Sequence, residues 1–345
     1  MKQVVITGGA GFIGSNLANH FLAKGHRVVI FDSLARNGCI ENVDWLQKNN
    51  NSRNLQILIG DVRLPTHGFQ DAVENSDAVF HMAGQVAVTT SVLDPVLDFE
   101  INALGTFKVL ELVRGSQGKK PLVVFASTNK VYGGMEDIQI EEGSERYTYK
   151  DLPGGIPESR TLDFHSPYGC SKGAGDQYVR DYARIYGLQT IVFRQSCIYG
   201  YRQFGLEDQG WVAWFIIAAI LGRPITIYGN GKQVRDILFI DDLIRAYDMA
   251  WEQIEKINGR IYNIGGGPAN TISLHDLIAI LKSEINPHLS PSFSDWRPGD
   301  QPVYVSDIHK AYIDFGWKPE FDWKEGIHRL IEWVQDNKTM LERLF

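Results

Sequence analysis

Cysteine is scarce in this chain, with only Cys39, Cys170 and Cys197 among 345 residues. None belongs to a C-x-x-C pair, and no Cys/His cluster has metal-ligand spacing, so neither a disulfide framework nor a metal site is expected. Reduced thiols suit a cytoplasmic protein. Long apolar runs are missing too. The longest, Trp211 to Leu221, is too short to span a bilayer and predicts a buried helix. The first residues run straight into an apolar strand pattern without the features of a secretory leader. Positive charge is not in excess either: 34 Lys and Arg stand against 41 Asp and Glu, a formal net charge of -7. That balance argues against nucleic acid and against an anionic membrane as partners. No internal repeat or low-complexity segment interrupts the chain.

What is present is an ordinary globular composition, 44% hydrophobic and 22% charged, in a chain long enough for two domains. Short apolar runs alternate with helix-period segments: strands at Val4–Ile6, Val28–Phe31, Leu55–Ile59, Ala78–Phe80, Leu122–Phe125 and Thr190–Phe193. Helices are expected at Phe12–Ala23, from about Pro95 to Arg114, and at Tyr168–Tyr186. This rhythm predicts an α/β protein with a doubly wound parallel sheet. It breaks after about Arg194, where glycine, proline and tryptophan become frequent. We therefore expect a first domain over 1–194, a return segment near 237–264, and a smaller C-terminal substrate-binding lobe over 195–345.

The first strand leads into Thr7-Gly8-Gly9-Ala10-Gly11-Phe12-Ile13-Gly14 and then a helix. Glycines at this junction allow a tight turn and close backbone approach to a pyrophosphate, and the helix N-terminus offers N–H groups and a positive dipole end. The context is that of a Rossmann-type dinucleotide site. Asp32 ends the second strand, where a carboxylate accepts from both adenosine ribose hydroxyls and repels a 2′-phosphate. NAD is thus favoured, although Arg36 nearby argues the other way. Asp61, with Val62 beside it, fits a contact to the adenine amino group or a simple turn cap. Ala83, Gly84 and Gln85 after the fourth strand complete the expected cofactor set.

Tyr168 and Lys172 stand four apart and share a helix face, so the ammonium is expected to lower the phenol's pKa and to hold the nicotinamide ribose. The phenol then serves as acid or base for a substrate hydroxyl. Ser127-Thr128, at the end of the fifth strand, supplies a hydroxyl for the same oxygen.

With these motifs, Ser127 to Gly133, Ser166 to Lys172, and Val234-Arg235-Asp236 followed by Asp241-Asp242, the whole chain resembles the extended short-chain dehydrogenases of the NAD-dependent epimerase/dehydratase group, which act on nucleotide sugars. The resemblance implies a triad of Thr128, Tyr168 and Lys172 and a tightly held NAD. It also implies a role for Asn102 in holding the helix or a water near the lysine, and assembly as a dimer or tetramer through the helices near 95–114 and 168–186. Dehydratases of the group carry an Asp-Glu pair after the strand-end threonine, where this chain has Asn129 and Lys130. Longer strings, Ala83 to Ala87, Leu162 to Tyr168, Arg202-Gln203-Phe204 and Asp208 to Val212, are similar to the sugar 2-epimerases of the group. They imply inversion at carbon 2 of a CDP-sugar. A 4-epimerase needs only the same triad, and a dinucleotide-binding protein without catalysis is the reading from another class.

In the lobe, Arg235 is placed to bind a pyrophosphate oxygen or to pair with Asp236. Arg297 resembles the second phosphate-binding arginine of the family, or stacks on Trp296; Asp300 resembles its ribose contact. Asn129, Gln209 and Trp211 are further substrate candidates, with Trp211 equally suited to the core. His165 reads as a loop residue shaping the sugar pocket.

Overall fold

A computed structural model describes residues 1–297 and 299–345; Pro298, one of the prolines that mark the lobe, lies outside the described residues. The central sheet has seven strands: β1 (Gln3–Thr7), β2 (Arg27–Asp32), β3 (Leu55–Ile59), β4 (Ala78–His81), β5 (Leu122–Thr128), β6 (Thr190–Gln195) and β7 (Arg260–Ile264). Their order is β7-β6-β5-β4-β1-β2-β3, and β1 pairs in parallel with both β2 and β4. The chain reverses its winding between β1 and β4, which creates a crevice at their C-terminal ends. Val4, Val5 and Ile6 are all fully buried, as are Val28, Ile30 and Phe31, so these strands are covered on both faces and read as unbroken apolar runs.

The chain forms two compact units. The first comprises Met1–Val131, Ser166–Arg194 and Ile244–Tyr262; the second comprises Tyr132–His165, Gln195–Leu243 and Asn263–Phe345. The expected division is 1–194 with a return segment near 237–264, and 195–345 for the lobe; the structure also places 132–165 with the second unit. Residues 132–165 fold with the second unit because Tyr147, in the hairpin Ile140–Glu142/Tyr147–Tyr149, packs against Val234, Val303 and Val305. The return segment is shorter than 237–264. Strand Val234–Phe239 is claimed by the second unit, where Cys197–Tyr199, Thr271–Ser273 and Val303–Tyr304 take its ladder bonds.

The helix expected from Pro95 to Arg114 is three pieces in line: Pro95–Phe99, a π-helical turn Glu100–Leu104, and Gly105–Gly115. The apolar segment Trp211–Leu221 is a buried helix held between Gly210 and Gly222, both in the left-handed conformation. Among the described residues no helix is long and apolar enough to cross a membrane.

Candidate active site

The first unit builds its glycine turn under tight steric control. Gly8 has φ +67°, and a Cβ there would lie 2.7 Å from the Ala83 nitrogen. A Cβ on Gly14 would lie 2.2 Å from the Gly8 carbonyl oxygen. The turn is therefore closed to any larger residue, and helix Phe12–Ala23 begins at Gly11 with no side chain capping it. Uncapped N–H groups and bare backbone form a cradle that fits a dinucleotide pyrophosphate. Asp32 accepts from the Ala10 nitrogen (3.0 Å) and the Leu34 nitrogen (2.8 Å), which fixes its carboxylate beside this turn. Burial raises its pKa, and the backbone donors oppose that rise.

Other expected cofactor residues fall into two groups. Ala83 donates from its nitrogen to Thr7 Oγ1 (3.2 Å), and Gly84 is so close to Asn102 that a Cβ would lie 2.9 Å from Asn102 Oδ1. Arg36 is exposed. Asp61 caps its own turn by accepting from the Arg63 nitrogen (2.8 Å), and it pairs with the Arg63 guanidinium at 2.8 Å. Val62 is buried in the core. Gln85 turns its amide toward the Ala87 carbonyl (2.8 Å) and Asp98 (3.1 Å).

Strand β5 ends on two hydroxyls with different partners. Ser127 donates to Asp176 Oδ2 (2.8 Å), which also pairs with Arg194. Thr128 hydrogen-bonds with the Tyr168 phenol and accepts from the Lys130 nitrogen (3.2 Å). Helix Ser166–Tyr186 presents Tyr168 and Lys172, both buried. Lys172 Nζ lies 4.4 Å from the centre of the Phe125 ring, a cation–π contact. Burial pushes the lysine down to about 8. The phenol moves opposite to the sequence expectation: burial pushes it up to about 12, the Asp98 charge adds to the rise, and the Thr128 bond only partly opposes it. Desolvation disfavours the anion more than neighbouring groups favour it.

Asn102 sits in the π-helical turn and donates through Nδ2 to the Gln85 carbonyl (3.0 Å), Asp98 Oδ1 (3.0 Å) and Ser171 Oγ (3.2 Å). Its carbonyl accepts from Thr106 Oγ1 (2.6 Å). Thr106 spends its proton there, so His81 Nε2, 3.0 Å away, carries the hydrogen of the ring, and Nδ1 accepts from Thr7 Oγ1 at 2.6 Å. Complete burial pushes His81 down to about 3 and keeps it neutral. The relay Thr7–His81–Thr106 thus ties the glycine turn to the turn that carries Asn102. Nothing in the sequence reading singled out His81, Asp98, Asp176 or Arg194. Asp176 does lie four residues after Lys172, on its helix face, a spacing that could have flagged it.

In the second unit, Arg235 and Asp300, 65 residues apart, form an ion pair and are the expected substrate residues that the fold brings together. Arg235 pairs with Asp300 and not with Asp236, which is fully buried, bonded to Ser196 and accepting from the Gly267 nitrogen (3.1 Å). Arg297 stacks on Tyr228 (4.0 Å), not Trp296, and donates to the Glu207 carbonyl (2.7 Å). Gln209 closes a tight loop with Leu206, and Trp211 is half-buried against Phe215. His165 is exposed beside Gly299. Asn129, in the first unit, is buried and accepts from Thr128 Oγ1 (3.3 Å).

The sequence pattern of the NAD dependent epimerase/dehydratase family matches residues 4–265. CDP-paratose 2-epimerase of Salmonella typhi is 44% identical over 96% of this chain and 99% of its own length. The structure of UDP-glucose 4-epimerase from Thermotoga maritima with UDP-glucose has a TM-score of 0.81 at 28% identity, covering 97% of this chain and 99% of that one. The structure of dTDP-glucose 4,6-dehydratase from Streptomyces venezuelae with NAD bound has a TM-score of 0.83 at 26% identity, covering 99% and 100%.

Proposed function

This chain belongs to the NAD dependent epimerase/dehydratase family, and we propose that it inverts carbon 2 of CDP-paratose to give CDP-tyvelose. NAD is its cofactor, supplying a hydride acceptor that becomes the donor within the same turnover. The observation that carries the reading is the junction at the end of β5. Thr128, Tyr168 and Lys172 are buried together there, followed by Asn129 and Lys130 where dehydration would need carboxylic acids. The 2-epimerase relative, at 44% identity, favours carbon 2.

The roles follow from placement. Gly8, Gly11 and the first turn of helix Phe12–Ala23 hold the pyrophosphate, and Asp32 takes the ribose hydroxyls. Tyr168 Oη removes the proton of the sugar hydroxyl during oxidation and returns it during reduction, while Thr128 Oγ1 orients the same oxygen. The Lys172 ammonium holds the nicotinamide ribose and offsets negative charge on the phenol. Lys172 titrates near 8, charged below and neutral above. The kcat/KM profile is therefore expected to fall as pH rises through about 8. In the second unit, Arg235 serves a pyrophosphate oxygen through charge-assisted hydrogen bonds.

The test runs CDP-paratose, and separately UDP-glucose, in heavy water. Carbon-2 inversion of the CDP-sugar without deuterium at the inverted carbon is the expected result, because an oxidation–reduction route never gives that hydrogen to solvent. Deuterium at that carbon overturns the mechanism. Inversion at carbon 4 of UDP-glucose alone favours the second reading, a 4-epimerase, which the same triad would serve. A second expected outcome concerns the cofactor. Asp32 should make NAD bind at least about tenfold tighter than NADP, a difference of about 1.4 kcal/mol. Equal affinities in a calorimetric titration of apo-protein would remove Asp32 from the site.

The protein assembles as a homo-oligomer in this reading. In the first unit, Phe107 and Tyr178 meet (5.7 Å), so the helices Gly105–Gly115 and Ser166–Tyr186 lie side by side. Leu93, Val96, Phe99, Tyr178, Ile185 and Tyr186 stay exposed on these helices and their approach. Light scattering is expected to give a dimer or tetramer mass.

A further inference from the structure

Lys172 is a buried ammonium, and the charges around it are not alike. Asp176, one turn along its own helix, is already paired with Arg194, its carboxylate oxygens 2.9 and 3.0 Å from the guanidinium nitrogens. His81, on β4, is neutral. Glu100, in the neighbouring π-helical turn, pairs with Arg63 at 3.1 Å. Arg180, on the same helix, adds a positive charge two turns beyond the lysine. The Phe125 ring offers its face. Asp98 differs from all of these. It is 1% exposed, and its hydrogen bonds come from neutral donors: the amides of Gln85 (3.1 Å) and Asn102 (3.0 Å), and the hydroxyl of Ser171. Burial raises the Asp98 pKa, the Ser171 and Asn102 donors oppose that rise, and the ionised carboxylate, held by neutral groups, is a net charge that calls for a cation nearby. Ser171, which grips it, immediately precedes Lys172 on the helix.

We propose that Asp98 is the counter-charge of Lys172, a positioning residue whose carboxylate, tied through Ser171 to the helix carrying the lysine, keeps that ammonium charged inside the protein. Burial raises the Asp98 carboxyl and lowers the Lys172 ammonium, and each charge opposes the shift of the other. The same anion opposes ionisation of the Tyr168 phenol. Asp98 therefore acts on both groups of the pair, and its loss should make both easier to deprotonate. Gln85 and Asn102 gain a role in this arrangement, since they supply the amide donors that let an anion persist there.

The inference gives Lys172 the function proposed above, but its test does not depend on turnover. Full-length protein carrying lysine labelled at the ε-carbon is titrated by NMR, and the Lys172 signal is identified by its loss in Lys172→Arg. Asp98→Asn removes the charge and keeps the shape. The Lys172 midpoint should fall by about one unit or more, a factor of about ten in its proton affinity. Ser171→Ala removes one hydrogen bond to the carboxylate and keeps the charge, so the midpoint should fall by less than in Asp98→Asn. If Asp98→Asn does not fold, Asp98→Ser removes the same charge with less volume and carries the same expectation. An unchanged midpoint in the folded charge-free variant overturns the proposal. So does an equal fall in Ser171→Ala, which would mark a purely structural role. Where CDP-paratose is turned over, the alkaline limb of the kcat/KM profile should move down with the midpoint in Asp98→Asn. Absence of turnover in the wild type would count against the substrate reading alone, leaving the titration to decide on Asp98.

Discussion

Replacing Tyr168 with phenylalanine is expected to lower turnover by about 10²–10⁴-fold, the usual contribution of a positioned acid–base group. The phenol is buried, bonded to Thr128, and lies one helical turn from Lys172. Phenylalanine keeps the ring and its packing and deletes only the oxygen that exchanges the substrate proton. NAD affinity and the thermal midpoint should stay close to wild type, because the glycine turn and Asp32 are untouched. Burial already holds the phenol near 12, so its proton is available for donation throughout the neutral range, whereas its use as a base requires positive charge nearby. In the proposed mechanism Lys172 supplies that charge below about 8. The checks are steady-state kinetics beside a calorimetric NAD titration. Near-normal kcat in the phenylalanine variant would mean that another group carries the proton.

The largest loss of stability is expected at a residue outside the catalytic set. Asp176 is fully buried, takes two hydrogen bonds from Arg194, itself 2% exposed, and accepts a third from Ser127. Asp176→Ala leaves a guanidinium buried without its anion, which costs about 3–5 kcal/mol. For a protein of this size the thermal midpoint should fall on the order of ten degrees. Replacing both partners with apolar residues of similar volume, Asp176→Leu with Arg194→Met, should recover much of the loss, because no uncompensated charge remains. Calorimetric melting of the single and double variants is the measurement. A single variant as stable as wild type would show that Arg194 finds another partner or reaches water.

What the sequence determined by itself is whatever depends on local order along the chain. The apolar runs Val4–Ile6 and Val28–Phe31 could only be strands covered on both faces, and their alternation with helix-period segments made the sheet parallel. The glycine turn was legible because its requirement is steric and local: a left-handed Gly8 and a Gly14 with no room for a Cβ. The Tyr168–Lys172 pair was legible because four residues make one helical turn. Tertiary structure decided the matters that depend on distant segments meeting. It gave residues 132–165 to the second unit, where Tyr147 finds Val303 and Val305. It paired Arg235 with Asp300 across 65 residues, although Asp236 was its neighbour in sequence, because adjacent residues on a strand point to opposite faces. It also set the pKa directions. The spacing of Tyr168 and Lys172 predicted a lowered phenol, but a pKa reflects the whole surroundings: burial, which no spacing records, raises it, the Asp98 charge adds to the rise, and the Thr128 hydroxyl only partly opposes it. The same reason hid Asp98: its significance lies in having only neutral donors around it, and those donors come from a loop, a π-helical turn and a helix that only the folded chain assembles.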